Sequence, residues 1–278
     1  MEQRSTEKLI RFYLPLALFL LFLLFPFYWM LVTTFKSDVE LYDLSLSPFY
    51  IYTWSLTNIE HLIFGTPFLR WLYNTLLVSI ISAFISLATS LLAAYGIQRI
   101  RFRGSNFTGI AIFFCYLVPP TILFIPLATM VFKLKIWDSL MSLSLIYPTF
   151  LIPFCTWLLM GYFKSIPKEL EECAMMDGAS RLWVFFKVII PLSLPGILSA
   201  GIFAFTLSWN EYLYALTFIS SSAKKTVSIG LVTELVRGDV YHWGPLMAGA
   251  LLGSVPVALV YSFFVEYYVA GMTGALKE

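Results

Sequence analysis

The chain has 278 residues, of which 59% are hydrophobic, 18% aromatic and only 12% charged. So few polar side chains cannot cover a soluble globule of this length, and composition alone assigns an integral membrane protein. A formal charge of +2, with the Lys and Arg residues spread along the chain, argues against a nucleic-acid partner.

The opening tail carries Arg4, Lys8 and Arg11 and leads into an apolar run from about 13 to 35. Its charge order is that of a signal peptide. The run is long, however, lacks an Ala-x-Ala cleavage site and ends in Phe25, Phe27, Tyr28 and Trp29, which predicts an uncleaved first span. Residues 36 to about 70 form an outside loop with Asp38, Glu40, Asp43 and Glu60 among Pro48, Pro67 and several aromatics, and short surface helices are expected there.

The second span runs from about 71 to 97. Its Ser79, Ser82, Ala83, Ser86, Ser90, Ala93 and Ala94 recur every three or four positions, a face that lets helix backbones approach closely in lipid. The tight basic loop Arg99, Arg101 and Arg103 follows, then a third run from about 107 to 132. Pro119-Pro120 inside that run predicts a break whose freed carbonyls need partners in the bundle interior.

A fourth span is predicted over about 139–162. The fifth covers about 188–219 and is bent at its start by Pro191 and Pro195. A second outside loop from Ser220 to Trp243 holds Lys224, Lys225, Arg237, Asp239 and His242. The sixth span covers about 244–268, with Gly249 and Gly253 in a G-x-x-x-G spacing. Cys115 and Cys155 lie in apolar runs and Cys173 in a polar stretch, with no spacing suited to zinc or a disulfide framework; all three read as reduced thiols. The expected fold class is therefore an all-α integral membrane protein with six transmembrane helices, forming a single domain over 1–278. Six spans put both termini on one side. The tail, the arginine loop, the stretch 164–187 and the C-terminus hold eleven of the 18 Lys and Arg residues, so that side is expected to be cytoplasmic.

The stretch 164–187 is a polar island between the fourth and fifth spans. Ser165 is a candidate cap for a helix with Pro167 in its first turn, and Glu169, Glu171 and Glu172 follow where the helix dipole favours carboxylates. Gly178 can take the left-handed conformation that ends that helix. Asp177 or Ser180 can then cap a second one near Arg181, carrying Trp183, Phe185 and Phe186. Leu170, Cys173, Ala174 and Asp177 recur at three- and four-residue intervals as a narrow face of mostly small groups. The result is a helix-turn-helix knuckle on the cytoplasmic side.

Glu172-Cys173-Ala174, then three residues to Gly178, then nine to Val188-Ile189-Ile190-Pro191, resembles the cytoplasmic EAA loop of permease subunits in binding-protein-dependent ABC importers. Glu171 to Ala179 with Pro191 and Pro195, Phe205 to Thr217 with Ser208-Trp209-Asn210-Glu211, and the ending Val269 to Ala275 are similar to the carbohydrate-uptake branch, in particular to the smaller membrane subunit of maltose-type transporters. Cys173 departs from the pattern, standing where the first Ala of the motif is usual. The resemblance implies that Glu171, Glu172, Cys173, Ala174, Asp177, Gly178 and Ala179 form a coupling helix for an ATPase. It also implies two cytoplasmic ABC ATPase subunits as partners, a second homologous permease, an extracytoplasmic solute-binding protein and a location in the bacterial or archaeal cytoplasmic membrane. No cofactor is expected in this chain, with ATP and Mg held by the partner ATPases.

The chain has no G-x-x-x-x-G-K-[ST] phosphate-binding loop, because the Lys-Ser and Lys-Thr pairs at Lys36, Lys164 and Lys225 follow Phe35, Phe163 and Lys224. A transport subunit rather than an enzyme is expected. His61 and His242 fall in outside loops, which argues against paired intramembrane haem ligands. A carboxylate within a span costs about 2.5–3.5 kcal/mol on insertion scales, so Glu211 should face a cavity or a partner. Asn210, Glu211 and Tyr212 are candidates to line a solute path, with Tyr116 and Thr121 beside the proline break as further ones; hydrogen bonding between helices near the outer end of the fifth span accounts for Glu211 equally well. Two other functions stay open: a proton-coupled secondary transporter working through Glu211, and an ABC permease for a non-sugar solute.

Overall fold

Apolar runs in hydrocarbon fold as helices because a helix satisfies its own backbone polar groups and an irregular segment cannot. In a computed structural model of the chain, residues 9–238 and 240–274 are described; the tail residues Arg4 and Lys8, the loop residue Asp239 and the terminal Ala275 lie outside them. The helices are α1 (Leu14–Phe35), α2 (Asp38–Tyr42), α3 (Thr57–Gly65), α4 (Phe68–Tyr95), α5 (Ser105–Leu117), α6 (Phe124–Lys133), α7 (Leu140–Ile146) and α8 (Pro148–Ser165). They continue as α9 (Glu169–Met176), α10 (Arg181–Val184), α11 (Ile190–Leu192), α12 (Leu194–Trp209), α13 (Leu213–Phe218), α14 (Val227–Leu235) and α15 (Trp243–Gly274). A two-residue hairpin, β1 (Val236–Arg237) with β2 (Val240–Tyr241), sits before α15.

Among the described residues, four continuous segments are long and apolar enough to cross a membrane: Ile10–Phe35, Phe68–Ile100, Leu140–Ser165 and Trp243–Glu266. Two bent pairs raise the number to as many as six. Ser105–Leu117 meets Pro120–Lys133 at 90°, at the expected proline break, and Arg181–Leu192 meets Leu194–Trp209 at 76°, between Pro191 and Pro195. Both are sharper than a proline kink within one continuous helix.

The chain divides into two compact units, the first made of residues 1–69 with 230–255 and the second of 70–229 with 256–278. In the first, the loop after α1 is ordered around a buried ion pair. Lys36 and Glu40 are each 4% exposed at the side chain, with Nζ 3.7 Å from Oε1. The Lys36 ammonium donates to the Ser47 and Pro48 carbonyls, while the Glu40 carboxylate accepts from the Tyr52 and Thr53 amides at 2.9 and 3.2 Å. Buried charges persist only when paired and hydrogen-bonded, and here every charged oxygen and the ammonium have partners. Buried Asn58 donates to the Thr34 and Lys36 carbonyls, tying α3 back to the end of α1. Gly249, the first glycine of the G-x-x-x-G, lies so close to Leu231 that an added Cβ would fall 2.2 Å from its Cδ2.

In the second unit the small-residue face of α4 packs inward: Ser79, Ser82, Ser86, Ser90 and Ala94 are all buried. Ser90 donates to the Ile152 carbonyl of α8 at 3.1 Å, so that helix is one thing the small face meets. Leu143, Leu151, Cys155, Leu159 and Phe163 form the centre of the core along α7 and α8. Lipid is as apolar as leucine, so close packing rather than water expulsion holds this bundle together. Gly196 shows how tight it is, since a Cβ there would lie 2.5 Å from the Tyr162 ring.

Three expectations change. Ser165 is the last residue of α8 and its hydroxyl donates back to the Tyr162 carbonyl, so it ends a helix rather than capping the next. The fifth span is interrupted between Trp209 and Leu213, where no proline or glycine announced a break. The loop from Ser220 to Trp243 is mostly structure, because α14 buries Val227, Ile229, Leu231 and Leu235.

Candidate functional site

The knuckle begins with α9, whose first turn holds Glu169, Glu171 and Glu172. Its end is built by backbone chemistry. Gly178 has φ of +88°, its N–H donates to the Met175 carbonyl at 3.0 Å, and the Ala179 N–H donates to the Ala174 carbonyl at 3.0 Å. This is the Schellman pattern, which satisfies orphan carbonyls and needs a residue free to be left-handed. Ser180, rather than Asp177, then caps α10 by accepting from the Trp183 N–H at 3.3 Å.

The three carboxylates part company in space. Glu172 is exposed, as is Glu169, while Glu171 is buried. Glu171 Oε1 lies 2.9 Å from Arg99 Nε, a close ion pair that is not aligned as a hydrogen bond, and the two side chains are 11% and 3% exposed. The Tyr95 hydroxyl donates to Glu171 Oε2 at 3.4 Å, and Arg99 Nη2 donates to the Ile166 carbonyl at 2.7 Å. Tyr95 in turn packs on Phe185, with ring centroids 4.7 Å apart. Arg99 stands in a π-helical turn, Gly96–Ile100, closed by the N–H of left-handed Arg101. Arg101 and Arg103 remain exposed, so the basic loop gives one arginine to the interior and two to the surface.

The rest of the knuckle sorts by face. Ala174, Met175 and Ala179 pack against the core. Leu170, Cys173, Met176, Asp177 and Gly178 are exposed, Met176 at 87%. The small-residue face expected from spacing therefore loses Ala174 to the interior and gains Met176. Leu182, Trp183 and Phe186 on the second helix are exposed as well, which gives the knuckle a run of apolar groups open to a partner.

The second candidate group sits at the break in the fifth span. Glu211 accepts from the Tyr214 N–H at 2.8 Å through Oε1 and from the Ala215 N–H at 3.0 Å through Oε2, so it satisfies the first free amides of α13. The buried Tyr147 hydroxyl adjoins the same carboxylate without an aligned bond. Asn210 donates to the Thr206 carbonyl, and Tyr212 is 38% exposed. Tyr214 donates its hydroxyl to the Pro120 carbonyl at 2.5 Å, the partner that the proline break demanded. The breaks at Pro119-Pro120 and between α12 and α13 are thus joined through Tyr214, which also stacks on Phe150. Thr121 is exposed next to this bond, whereas Tyr116 packs its ring on Phe154. Sequence spacing places Tyr214 three residues after Glu211, but nothing in it pointed to Pro120.

Outside the spans, Asp138 gathers the loop that follows the fifth span. It accepts from the Ser220 and Ser221 amides at 3.0 and 2.9 Å, from the Ser221 hydroxyl, and from Lys224 Nζ at 3.0 Å. Its partial burial works against the charge, yet the bonds from Ser221, Lys224 and Ser220 outweigh this and hold the carboxyl well below the usual carboxylate range. Among the described residues, no group of three or more His, Cys, Asp or Glu is placed to hold a metal ion.

Long apolar helices, bent helix pairs and inward small-residue packing define a multi-pass helical membrane protein. Residues 86–274 match the family described as binding-protein-dependent transport system inner membrane component, and the chain belongs to it. It is 35% identical over 280 residues to the inner membrane ABC transporter permease protein YcjP of Escherichia coli strain K12, covering 99% of this chain and 98% of that one. It is 31% identical to the trehalose/maltose transport system permease protein MalG of Thermococcus litoralis, over 91% of each chain. A bacterial ABC transporter involved in the import of the acidic polysaccharide alginate shares the fold, with a TM-score of 0.82 at 21% identity, covering 93% of this chain and 95% of that one. The protein is a multi-pass permease subunit of the cytoplasmic membrane, not an enzyme.

Proposed function

We propose that this chain is one half of the translocation pathway of an ATP-driven importer for a sugar or sugar derivative. Residues 1–278 act as a single transmembrane domain of six spans with both termini in the cytoplasm, the third running through its proline break and the fifth beginning near residue 188, after the second helix of the knuckle. A binding protein delivers the solute outside, with the loop from Ser220 to Trp243 as its contact. A second permease completes the path, and two ATPases, which hold ATP and Mg, grip the knuckles. ATP binding closes the ATPases, and the knuckles follow and open the pathway outward; hydrolysis resets it.

The observation that carries this reading is the knuckle: an exposed face of Leu170, Glu172, Cys173 and Met176, stopped by Gly178 and continued by exposed Leu182, Trp183 and Phe186. Apolar groups on a polar segment between spans favour a protein partner over water. The names of relatives, including a trehalose/maltose permease and the sulfoquinovosyl glycerol permease SmoH of Agrobacterium fabrum, 34% identical over 261 residues, support a sugar as cargo. Asn210, Glu211 and Tyr212, with Tyr116 and Thr121, are the proposed path-lining groups. Replacing Glu172 with Lys should weaken co-purification of the ATPases and ATP-dependent uptake of radiolabelled mono- and disaccharides together. If both stay at the level of the unaltered protein, the docking claim fails.

A further inference from the structure

We propose that Arg99 is a positioning residue through which motion of the knuckle enters the second span. The inference rests on the coupling role of the knuckle and adds a route to it beyond the chain connections into α8 and α12.

One guanidinium holds three segments. Arg99 Nε faces Glu171 of α9 at 2.9 Å, Nη2 donates to the Ile166 carbonyl just after α8, and Arg99 itself belongs to the turn that ends α4. Tyr95, one turn earlier on the same face, adds a hydroxyl to Glu171 and a ring against Phe185 of the second knuckle helix. The pair is enclosed, with the Arg99 side chain 3% exposed.

Enclosure decides what happens when the knuckle is displaced. Separating the two groups leaves a buried charge without its counter-charge, which is far more costly than moving them together. Glu171 therefore drags Arg99 and the end of α4 with it. That motion passes to a helix whose Ser82, Ser86 and Ser90 are packed inside the bundle. Glu172 faces outward for the ATPase while Glu171, one residue earlier, faces inward for α4. Adjacent carboxylates divide docking from transmission.

The test needs no solute. Spin labels are placed at Leu92→Cys on α4 and Lys168→Cys on the knuckle, both exposed positions, in an assembled transporter whose native Cys115 and Cys173 are replaced by serine. The distance between them is measured without nucleotide and after trapping with ATP and vanadate. With Arg99 intact, one narrow distance is expected in both states. In Arg99→Met and in Glu171→Gln the distance should shift on trapping, while ATPases still co-purify, and exchanging the charges with Arg99→Glu plus Glu171→Arg should restore the single distance. In the two single variants the ratio of molecules keeping the native distance after trapping to those that have lost it should fall about two- to thirtyfold, the range that mutations along a coupling network produce. An unchanged distance in Arg99→Met, or a shift already present with Arg99 intact, overturns the proposal. Should Arg99→Met fail to assemble, Glu171→Gln decides in the same way, because it removes the counter-charge while keeping the shape of the side chain. Failure of the coupling role itself shows separately, as full ATPase retention in Glu172→Lys.

Discussion

Asp138→Asn separates charge from shape at the outer loop. Asp138 has φ of 52°, a conformation that Asn tolerates almost as well as Asp, so the backbone has no reason to move. The amide oxygen can still accept from the Ser220 and Ser221 N–H groups. The other position becomes an NH2 facing the Ser221 hydroxyl and the Lys224 ammonium, both of which donate in the native protein. Bonds to a charged group contribute about 1.5–3 kcal/mol and neutral ones about 1. The Lys224 side chain is 47% exposed, so its share is the small one typical of surface pairs. The net loss is about 2 kcal/mol, which corresponds to roughly thirtyfold faster local opening at 1.36 kcal/mol per factor of ten. Hydrogen exchange at the Ser220 and Ser221 amides reads this directly. The pH dependence has a definite sign. A carboxyl depressed by folding contributes its full stability above its unfolded value of about 3.9 and loses it as pH falls toward the lower folded value. Protection at these amides, corrected for intrinsic exchange, should be flat from pH 7 to about 4 and decline below, and the Asn variant should lack that decline. Equal protection in the two proteins at pH 7 would refute the assignment of Asp138 as the organiser of this loop.

Gly178→Ala places a side chain where φ is +88° but no atom lies within 4 Å of the new Cβ, so only the backbone suffers. A cost of about 1–2 kcal/mol is expected, seen as faster limited proteolysis of the knuckle; an unchanged cleavage rate would show that the left-handed turn is not required. Glu211→Ala removes the acceptor for two amides of α13 and should lower stability by about 0.5–2 kcal/mol, with Glu211→Gln intermediate. Thermal unfolding followed through the reactivity of buried Cys155 measures both, and an unshifted midpoint in Glu211→Ala would remove the capping role. A proton-driven transporter predicts instead that Glu211→Gln abolishes uptake without altering stability.

What the sequence alone determined is what local chemistry determines. Hydropathy set the apolar helices, Pro119-Pro120 and Pro191 with Pro195 set the two sharp bends, and Gly178 set the turn of the knuckle, because each acts on backbone conformation within a few residues. The small-residue stripe of α4 was legible for the same reason: its period is that of the helix. Charge was read less well. Arg99 counted as one of three equivalent loop arginines, yet it is buried against Glu171, 72 positions away, and only the folded arrangement of α4, α8 and α9 chooses that pairing. Lys36 and Glu40, four residues apart, are likewise buried because the loop folds over them. Glu211 looked like an intramembrane charge that should face a cavity or a partner, and its carboxylate accepts from amides three and four residues on, freed by a helix break that no proline or glycine marks. The bond from Tyr214 to Pro120, which joins that break to the one in the third span, exists only in the tertiary structure. A sequence states which groups must be satisfied; packing of distant segments decides by what.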